Sequence, residues 1–409
     1  MELTFAKTKT DLEEIADLMA KTFVRRSYFD FYQQRMRYQT EDPWFKPEHS
    51  RLIRENGKIV SHVSIIEKPV RFGPAVVKLA GIGDVCTHPN ARGKGYAQIL
   101  MEDALHYMKE HGYPLTMLYG IPNFYHKFGY IESVKDYKLL LDTNKALKVT
   151  GSYRVRPWRE GDLPAMLKLY QDNFQDQILT VVRTTAYLRR LLTEPKRIIL
   201  AVDDTDQPVG YAHVWDDITR QYVVNEAAAA NLAAAQTLLH AILAQAPQPL
   251  APALEIRMSP RWPFVRQLQH LGSETKIRAY GEGEGNGMLA IINLQQLLAK
   301  IKPLLNQRLQ QSEFLNLSKP LTLATEQESV TLSFKQGEVI KVEASRPQSR
   351  VGLLVQANHR YLVRNLVGYW SIDELLTLTN ARVSDDHCRC LLAVLLPETE
   401  PFMLPLDYF

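Results

Sequence analysis

The chain has 409 residues, of which 45% are apolar and 23% charged, and a net charge of +4. That length suggests two to four domains of ordinary soluble make-up, and no stretch approaches the ~18 uninterrupted apolar residues of a membrane span. Lys and Arg are interspersed with 45 acidic residues, so no nucleic-acid partner is expected.

The opening MELTFAKTKTDLEE lacks the basic-then-apolar order of a signal peptide. Three cysteines, Cys86, Cys388 and Cys390, are too few for a disulfide framework and suit a reducing compartment. A cytoplasmic location is the expectation. The densest basic cluster, Arg25, Arg26, Arg35 and Arg37, lies close to Tyr28, Phe29, Phe31 and Tyr32, and it reads as the solvated face of an amphipathic helix.

The first elements are a strand over residues 3–5 and a helix from 11 to about 23, with Asp11 at its N-cap and Glu14 three residues on. Strand-like runs follow at 58–67 and 75–80, separated by Pro and Gly. Then come the apolar strand GIGDVCT, a glycine-rich turn, and a long helix from about residue 95 to 110, stopped by Gly112 and Pro114. LTMLYG is another buried strand. Together these form a mixed α/β domain, residues 1–145.

The same order then recurs. SYRVRPWREGDLPAMLKLY echoes TFAKTKTDLEEIADLM, and IILAVDDTDQPVGYAHVW echoes the hairpin RLIRENGKIVSHVSI. NLAAAQTLLHAILAQ stands in place of the long helix, and LEIRMSPRWPFVRQLQHLGS in place of LTMLYGIPNFYHKFGYIES. Asp11 maps to Asp162 and Gly129 to Gly272, offsets of 151 and 143, so an internal duplication is expected, with the second copy at 146–284.

The acidic glycine run GEGEGNG, residues 281–287, reads as a linker or turn; it misses the dinucleotide glycine register, and its glutamates would repel phosphates. Beyond it, INLQQLLAKIKPLL is an amphipathic helix, VTLSFKQGEVIKVEA a hairpin about Gln336-Gly337, and SIDELLTLTN a helix capped by Ser371. This is an α+β domain, residues 285–409.

The hexapeptide Arg92-Gly93-Lys94-Gly95-Tyr96-Ala97 fits R/Q-x-x-G-x-G/A. Its context carries more than the pattern, because an apolar strand precedes it and a helix follows it directly. Successive backbone N–H groups then point outward at a helix N-terminus, where a pyrophosphate is favoured. The glycines admit phosphate oxygens to the backbone, and Arg92 and Lys94 add countercharge. One strand later stands Gly120-Ile121-Pro122-Asn123-Phe124-Tyr125-His126-Lys127-Phe128-Gly129-Tyr130.

These two elements resemble the GNAT acetyltransferases, in which the strand before the turn and the strand before this short helix splay apart around the pantetheine arm. The whole chain is similar to the enhanced intracellular survival (Eis) family: two tandem GNAT-like mixed-sheet domains, the second degenerate, then a sterol-carrier-like α+β domain. The resemblance implies that Val85, Cys86 and Thr87 offer backbone groups to pantetheine and the thioester. It implies that Gly93, Lys94, Gly95, Tyr96, Ala97 and Gln98 hold the pyrophosphate with Arg92, and that Gly120, Ile121 and Asn123 flank the arm. Tyr125 is then the proton donor and the carboxylate of Phe409 the base, with acetyl-CoA as co-substrate, no metal, and a small-molecule or peptide amine as acceptor. A homo-oligomer, a hexamer, is also implied.

The chemistry agrees with these roles. An ammonium of pKa near 10 must lose its proton before attacking a thioester, and a phenol can supply one to the departing thiolate. An α-carboxylate is a poor base in water, and burial strengthens it. Cys86 on its apolar strand reads as an inert thiol rather than a nucleophile. His387, Cys388 and Cys390 show no metal-ligand spacing, the two cysteines alternating within a strand. His88 and His126 flank the site, and His126 could assist proton transfer. The alternative is a binding protein that holds a lipid or small molecule in the terminal domain.

Overall fold

The computed structural model describes all residues except 24–26, 144–148, 193–196, 217–221, 246–252 and 346–351. Arg25 and Arg26 of the basic cluster therefore lie outside the described residues. The chain divides into two compact units: Met1–Val134, Tyr280–Pro401 and Phe409 form one, and Lys135–Ala279 with Phe402–Tyr408 the other. No helix among the described residues is long and apolar enough to cross a membrane.

The first unit begins with β1 (Glu2–Phe5), α1 (Lys9–Thr22), α2 (Tyr28–Glu41), β2 (Ser50–Glu55), β3 (Lys58–Phe72), β4 (Ala75–Thr87), α3 (Tyr96–Glu110), β5 (Leu115–Gly120) and β6 (Ile131–Glu132). Thr8, rather than Asp11, caps α1. Its hydroxyl accepts from Asp11 N at 3.1 Å, and the Asp11 carboxylate accepts from Thr8 N at 2.9 Å, so Asp11 is the third residue of a capping box. The runs expected at 58–67 and 75–80 are longer, because β3 and β4 pair antiparallel from Phe72↔Ala75 out to Ser61↔Thr87 and take in GIGDVCT. α3 buries Tyr96, Leu100, Met101, Ala104 and Met108 against Ile53, Val63, Ile65 and Leu118 of the sheet.

The second unit holds β7 (Asp136–Asp142), β8 (Arg154–Pro157), α4 (Leu163–Phe174), β9 (Ile178–Val181), α5 (Thr185–Leu192), β10 (Arg197–Val202), β11 (Pro208–Asp216), β12 (Tyr222–Ala229), α6 (Leu232–Ala244), β13 (Ala253–Ile256), α7 (Pro263–Leu268) and β14 (Ser273–Arg278). Its sheet runs β14-β7-β13-β12-β11-β10-β8.

The chain then returns to the first unit with β15 (Asn286–Ile291), α8 (Leu294–Lys300), α9 (Lys302–Gln310), β16 (Leu321–Ala324), β17 (Ser329–Lys335), β18 (Glu338–Ala344), β19 (Leu353–Gln356), α10 (His359–Leu366), α11 (Ile372–Leu378), β20 (Arg382–Val383) and α12 (Asp386–Leu395). The helix expected over INLQQLLAKIKPLL is broken at Ile301, and Pro303 enters the first turn of α9, where its missing N–H costs nothing. Gln336 (φ 50°) and Gly337 (φ 73°) close the β17–β18 hairpin as expected. β16 to β20 form a separate sheet, β18-β17-β16-β19-β20. Cys388 and Cys390 lie on α12, not on a strand. Cys388, Leu391, Leu392 and Leu395 form its buried face at helical spacing, and Cys390 is exposed.

The first unit's main sheet follows the order β1-β2-β3-β4-β5-β15-β6. Matched position by position, the second unit's sheet has the same order, with β4∥β5 and β12∥β13 as corresponding parallel pairs. The last strands are exchanged: β7, which follows β6 in the chain, lies in the second sheet, and β15, which follows β14, lies in the first. The sheets therefore cross the boundaries expected at 145 and 284.

Candidate active site

β4 and β5 pair in parallel from Leu79↔Leu115 to Ile82↔Leu118, and the ladder stops there. β4 continues to Thr87 against β3, and β5 continues to Gly120 against β15. Past Ile82 and Leu118 the two neighbours therefore have different partners and part. A bulge in β4 marks the place: His62 faces Cys86 and Ser64 faces Gly83, so two residues oppose one, and Asp84 takes φ of 54°. Bulges twist and bend a strand, and a non-glycine residue in this region is uncommon.

Side chains hold that bulge. Arg35 donates from Nη1 to Asp84 Oδ2 and from Nη2 to Ser64 Oγ, the latter at 2.7 Å. Arg35 is buried, 5% exposed, which corrects its reading as part of a solvated face. His62 Nδ1 lies 3.3 Å from Asp84 O. Burial, with Arg35 adding to it, holds the His62 imidazole well below its usual value and hence neutral. Cys86 is buried beside them, and burial followed by Asp84 pushes its thiol up. It stays protonated, and thiols do not attack. Ser61 Oγ donates to Cys86 O at 3.0 Å and lies 2.8 Å from Thr87 Oγ1.

After Thr87 the chain turns through Arg92, Gly93, Lys94 and Gly95, all exposed, into α3. Gly93 and Gly95 have φ of 77° and 78°, and a methyl group at either would meet open space. Gly95 caps α3 without any side-chain bond. Gln98 and Ile99 N–H bond the Gly95 carbonyl at 3.0 and 3.1 Å, which leaves the Tyr96 and Ala97 amides without partners inside the helix. Such a terminus suits an anion. Lys94 Nζ pairs with the Glu55 carboxylate at 2.9 and 3.0 Å, and Tyr96 also donates to it, so Glu55 shares the turn's countercharge. Arg92 Nε donates to Thr87 O at 3.4 Å, and Gln98 donates to Glu102 at 2.9 Å.

On the far side of the opening, a methyl group at Gly120 would stand 2.8 Å from Tyr125 Cδ2 and 2.7 Å from Met288 Sδ, so the Tyr125 ring packs on the end of β5. Ile121 is exposed, and Asn123 adopts φ of 56°. Tyr125 opens the 3₁₀ turn Tyr125–Phe128, edge-on to Phe124 with ring centres 4.8 Å apart. Burial alone pushes its phenol up to about 12.

Phe409 reaches the same opening. A methyl group at Gly81 would stand 2.2 Å from its ring, and one at Gly83 would stand 3.6 Å from its carboxyl carbon. Its ring centre lies 6.4 Å from that of Tyr119, and Lys68 Nζ lies 5.0 Å away over the ring. The expected residues thus lie around the place where β4 and β5 part: Val85 to Thr87 on the bulged strand, Gly93 to Gln98 at its end, Gly120 to Tyr125 opposite, and Phe409 against Gly81 and Gly83. Arg35, His62 and Asp84 escaped the sequence reading, since only the positive φ of Asp84 singles them out and a sequence does not display it. Among the described residues, no group of His, Cys, Asp and Glu side chains is placed to hold a metal.

Residues 6–132 match the family described as an acetyltransferase (GNAT) domain. The chain thus carries a GNAT acetyltransferase domain. No curated protein matches the sequence.

Several solved structures match the chain over its whole length, among them the following three. A GCN5-related N-acetyltransferase from Kribbella flavida shares 19% identity over 100% of this chain and 98% of its own, with a TM-score of 0.74. A probable N-acyltransferase from Enterococcus faecalis shares 15% over 100% and 99%, with 0.77. Eis1 from Mycobacterium abscessus shares 13% over 100% of both chains, with 0.66. At these identities the likeness is one of fold.

Proposed function

We propose that the protein is an acetyl-CoA-dependent N-acetyltransferase that passes an acetyl group to a primary amine by direct attack in a ternary complex. The observation that carries this reading is the parting of β4 and β5 beyond Ile82 and Leu118, with an uncapped glycine turn at one end and both Tyr125 and Phe409 beside it. The donors fit coenzyme A: open amides at the start of α3 with Arg92 and Lys94 for the pyrophosphate, and the backbone of Val85, Cys86 and Thr87 with Gly120, Ile121 and Asn123 for the arm.

The Phe409 carboxylate takes a proton from the incoming ammonium. The freed nitrogen lone pair forms the N–C bond to the thioester carbon, backbone N–H groups near Cys86 hold the oxyanion, and as the C–S bond breaks the second nitrogen proton passes to the departing thiolate, leaving a neutral amide and free thiol. A phenol near 12 stays protonated at neutral pH. Against a thiol of about 8.5, full proton transfer from it is uphill by about three powers of ten. Tyr125 therefore acts chiefly by donating a hydrogen bond to the departing sulfur.

The second unit reads as a copy without a cofactor site. Its β12–α6 turn has no glycine, and Asn231 fills the helix start, its side chain accepting from Ala234 N at 2.9 Å. The wider Eis-like kinship, the sterol-carrier-like terminal domain, a cytoplasmic location and assembly into a hexamer rest on the resemblance alone. Light scattering that returned the mass of one chain, 46.9 kDa, would remove the assembly. The acceptor is a cationic amine, an aminoglycoside, a polyamine or a lysine side chain. The test is thiol release from acetyl-CoA with and without a panel of such amines; binding of CoA with no amine-dependent release overturns the reading.

A further inference from the structure

The glycine run 281–287 is more than a link. It wraps the loop that carries Tyr125. Gly283 O accepts from Asn123 N at 3.2 Å, and Ser133 N donates to Gly287 O at 2.9 Å. Gly285 has φ of 81°, and a methyl group there would stand 2.4 Å from Gly120 O, while Gly120 in turn abuts the Tyr125 ring. Gly285, Gly120 and Tyr125 form a stack in which no side chain could be inserted.

At the centre lies the Glu132 carboxylate, fully buried. Its Oε1 accepts from Gly285 N at 2.9 Å and Gly283 N at 3.2 Å, and His126 Nε2 lies 3.1 Å away. Arg364 of α10 donates from Nε to Glu132 O at 2.6 Å, and its Nη2 lies 3.7 Å from Oε2. The run's own glutamates turn elsewhere: Glu282 pairs with Arg360 and accepts from Tyr361 Oη at 2.8 Å, and Glu284 accepts from Gly281 N at 2.8 Å. A buried carboxylate is costly unless fully hydrogen-bonded. Here every partner belongs to the catalytic loop or to the segment after residue 280.

We infer that Glu132 is a positioning residue for Tyr125, and that the chain beyond residue 280 forms part of the catalytic site through it. This rests on the acetyltransferase reading above. His126, next to Tyr125 and tied to the same carboxylate, is a strut of this arrangement rather than a proton carrier. A displacement of the phenol by about 1 Å costs on the order of 10²-fold in rate.

The experiment is a double-mutant cycle on the full-length protein with Glu132→Gln and Tyr125→Phe, reading kcat, KM for acetyl-CoA, CoA binding by calorimetry and thermal midpoint. Glu132→Gln keeps the shape and one acceptor oxygen. It is expected to lower kcat about 10- to 100-fold, to leave CoA binding within about threefold, and to add nothing once Tyr125→Phe is present. Losses that multiply in the double variant, or unchanged kcat in a folded Glu132→Gln protein, overturn the inference alone. Normal turnover in Tyr125→Phe overturns the role of Tyr125 and this inference with it. Should Glu132→Gln not fold, the partly exposed His126→Asn completes the same cycle with the same criteria.

Discussion

A methyl group on Gly81 would stand 2.2 Å from the Phe409 ring, and its three nearest atoms would all belong to that ring. The aromatic residue is seated where β4 lacks a side chain. Gly81→Val suits a strand but removes the seat. It is expected to leave CoA binding near normal and to lower turnover by about 10² or more, as deleting Phe409 or extending the chain with a tag should. Full activity in Gly81→Val and in a tagged protein would exclude the Phe409 carboxylate as base; a water relay would be the next candidate.

Tyr125→Phe removes one hydroxyl from a ring whose packing is otherwise kept. Turnover should fall by about 10²- to 10⁴-fold with CoA affinity unchanged. Because burial pushes the phenol up to about 12, its ionisation should place no alkaline limb on kcat below about pH 10. A limb near pH 8 that vanished in Tyr125→Phe would contradict that environment.

Calorimetry should find one CoA per chain. Gly95 stands at φ of 78°, where a side chain is strained, and at the turn proposed to hold the pyrophosphate, so Gly95→Asp should weaken binding at least tenfold, adding strain to charge repulsion. Glu55→Gln, which releases Lys94, should tighten binding a few-fold at low salt and less at high salt. Two sites per chain would show that the turn closed by Asn231 also binds.

His49 gives the first unit an acid sensitivity. Burial holds its imidazole down to about 4, Glu67 opposing, and Tyr113 Oη lies 3.2 Å from its Nε2. Unfolded, the ring titrates near 6.5. Between those values the unfolded chain takes up a proton that the folded one refuses, so the stability is whole above about pH 6.5 and is lost as pH falls toward 4. The loss should be about 1 to 3 kcal/mol. His49→Gln should flatten the thermal-midpoint slope in this window; an identical slope would remove His49 as its cause.

In the second unit Arg183 bonds both Glu226 oxygens at 2.6 Å and Asp407 at 2.8 and 3.1 Å, all three side chains fully buried. Arg183→Met strands two carboxylates and should cost about 3–5 kcal/mol in urea denaturation. A loss under 1 kcal/mol would mean that the carboxylates take up protons or water at little cost.

Much of this architecture was legible because it is local. The turn before α3 announces itself through Gly93, Gly95 and the apolar strand before them, and the repeat shows in matched elements such as Gly129 and Gly272, both at positive φ. What escaped depends on distant partners. Arg35 and Arg37 look alike on a helix until Asp84, 49 residues away, selects the first. Cys388 and Cys390 alternate as strand residues do, and the helix shows only when Leu391, Leu392 and Leu395 are included. Neither Asp136–Asp142, which alternates, nor Asn286–Ile291, which is a continuous buried run, carries any mark of which sheet it will join, since apolar residues satisfy both.

The exchanged strand also sets an order of events in the cell. Glu132 and Gly285 are 153 residues apart in sequence, and β5 gains its outer neighbour only when β15 has left the ribosome. Until then a nascent chain holds Leu115–Gly120 as an open, mostly apolar edge, a liability for aggregation. Contacts this remote slow folding. A product broken off before residue 286 would retain every residue of the cofactor turn and still lack the strand that closes the sheet, so the acetyltransferase domain is completed only after the second unit has been made.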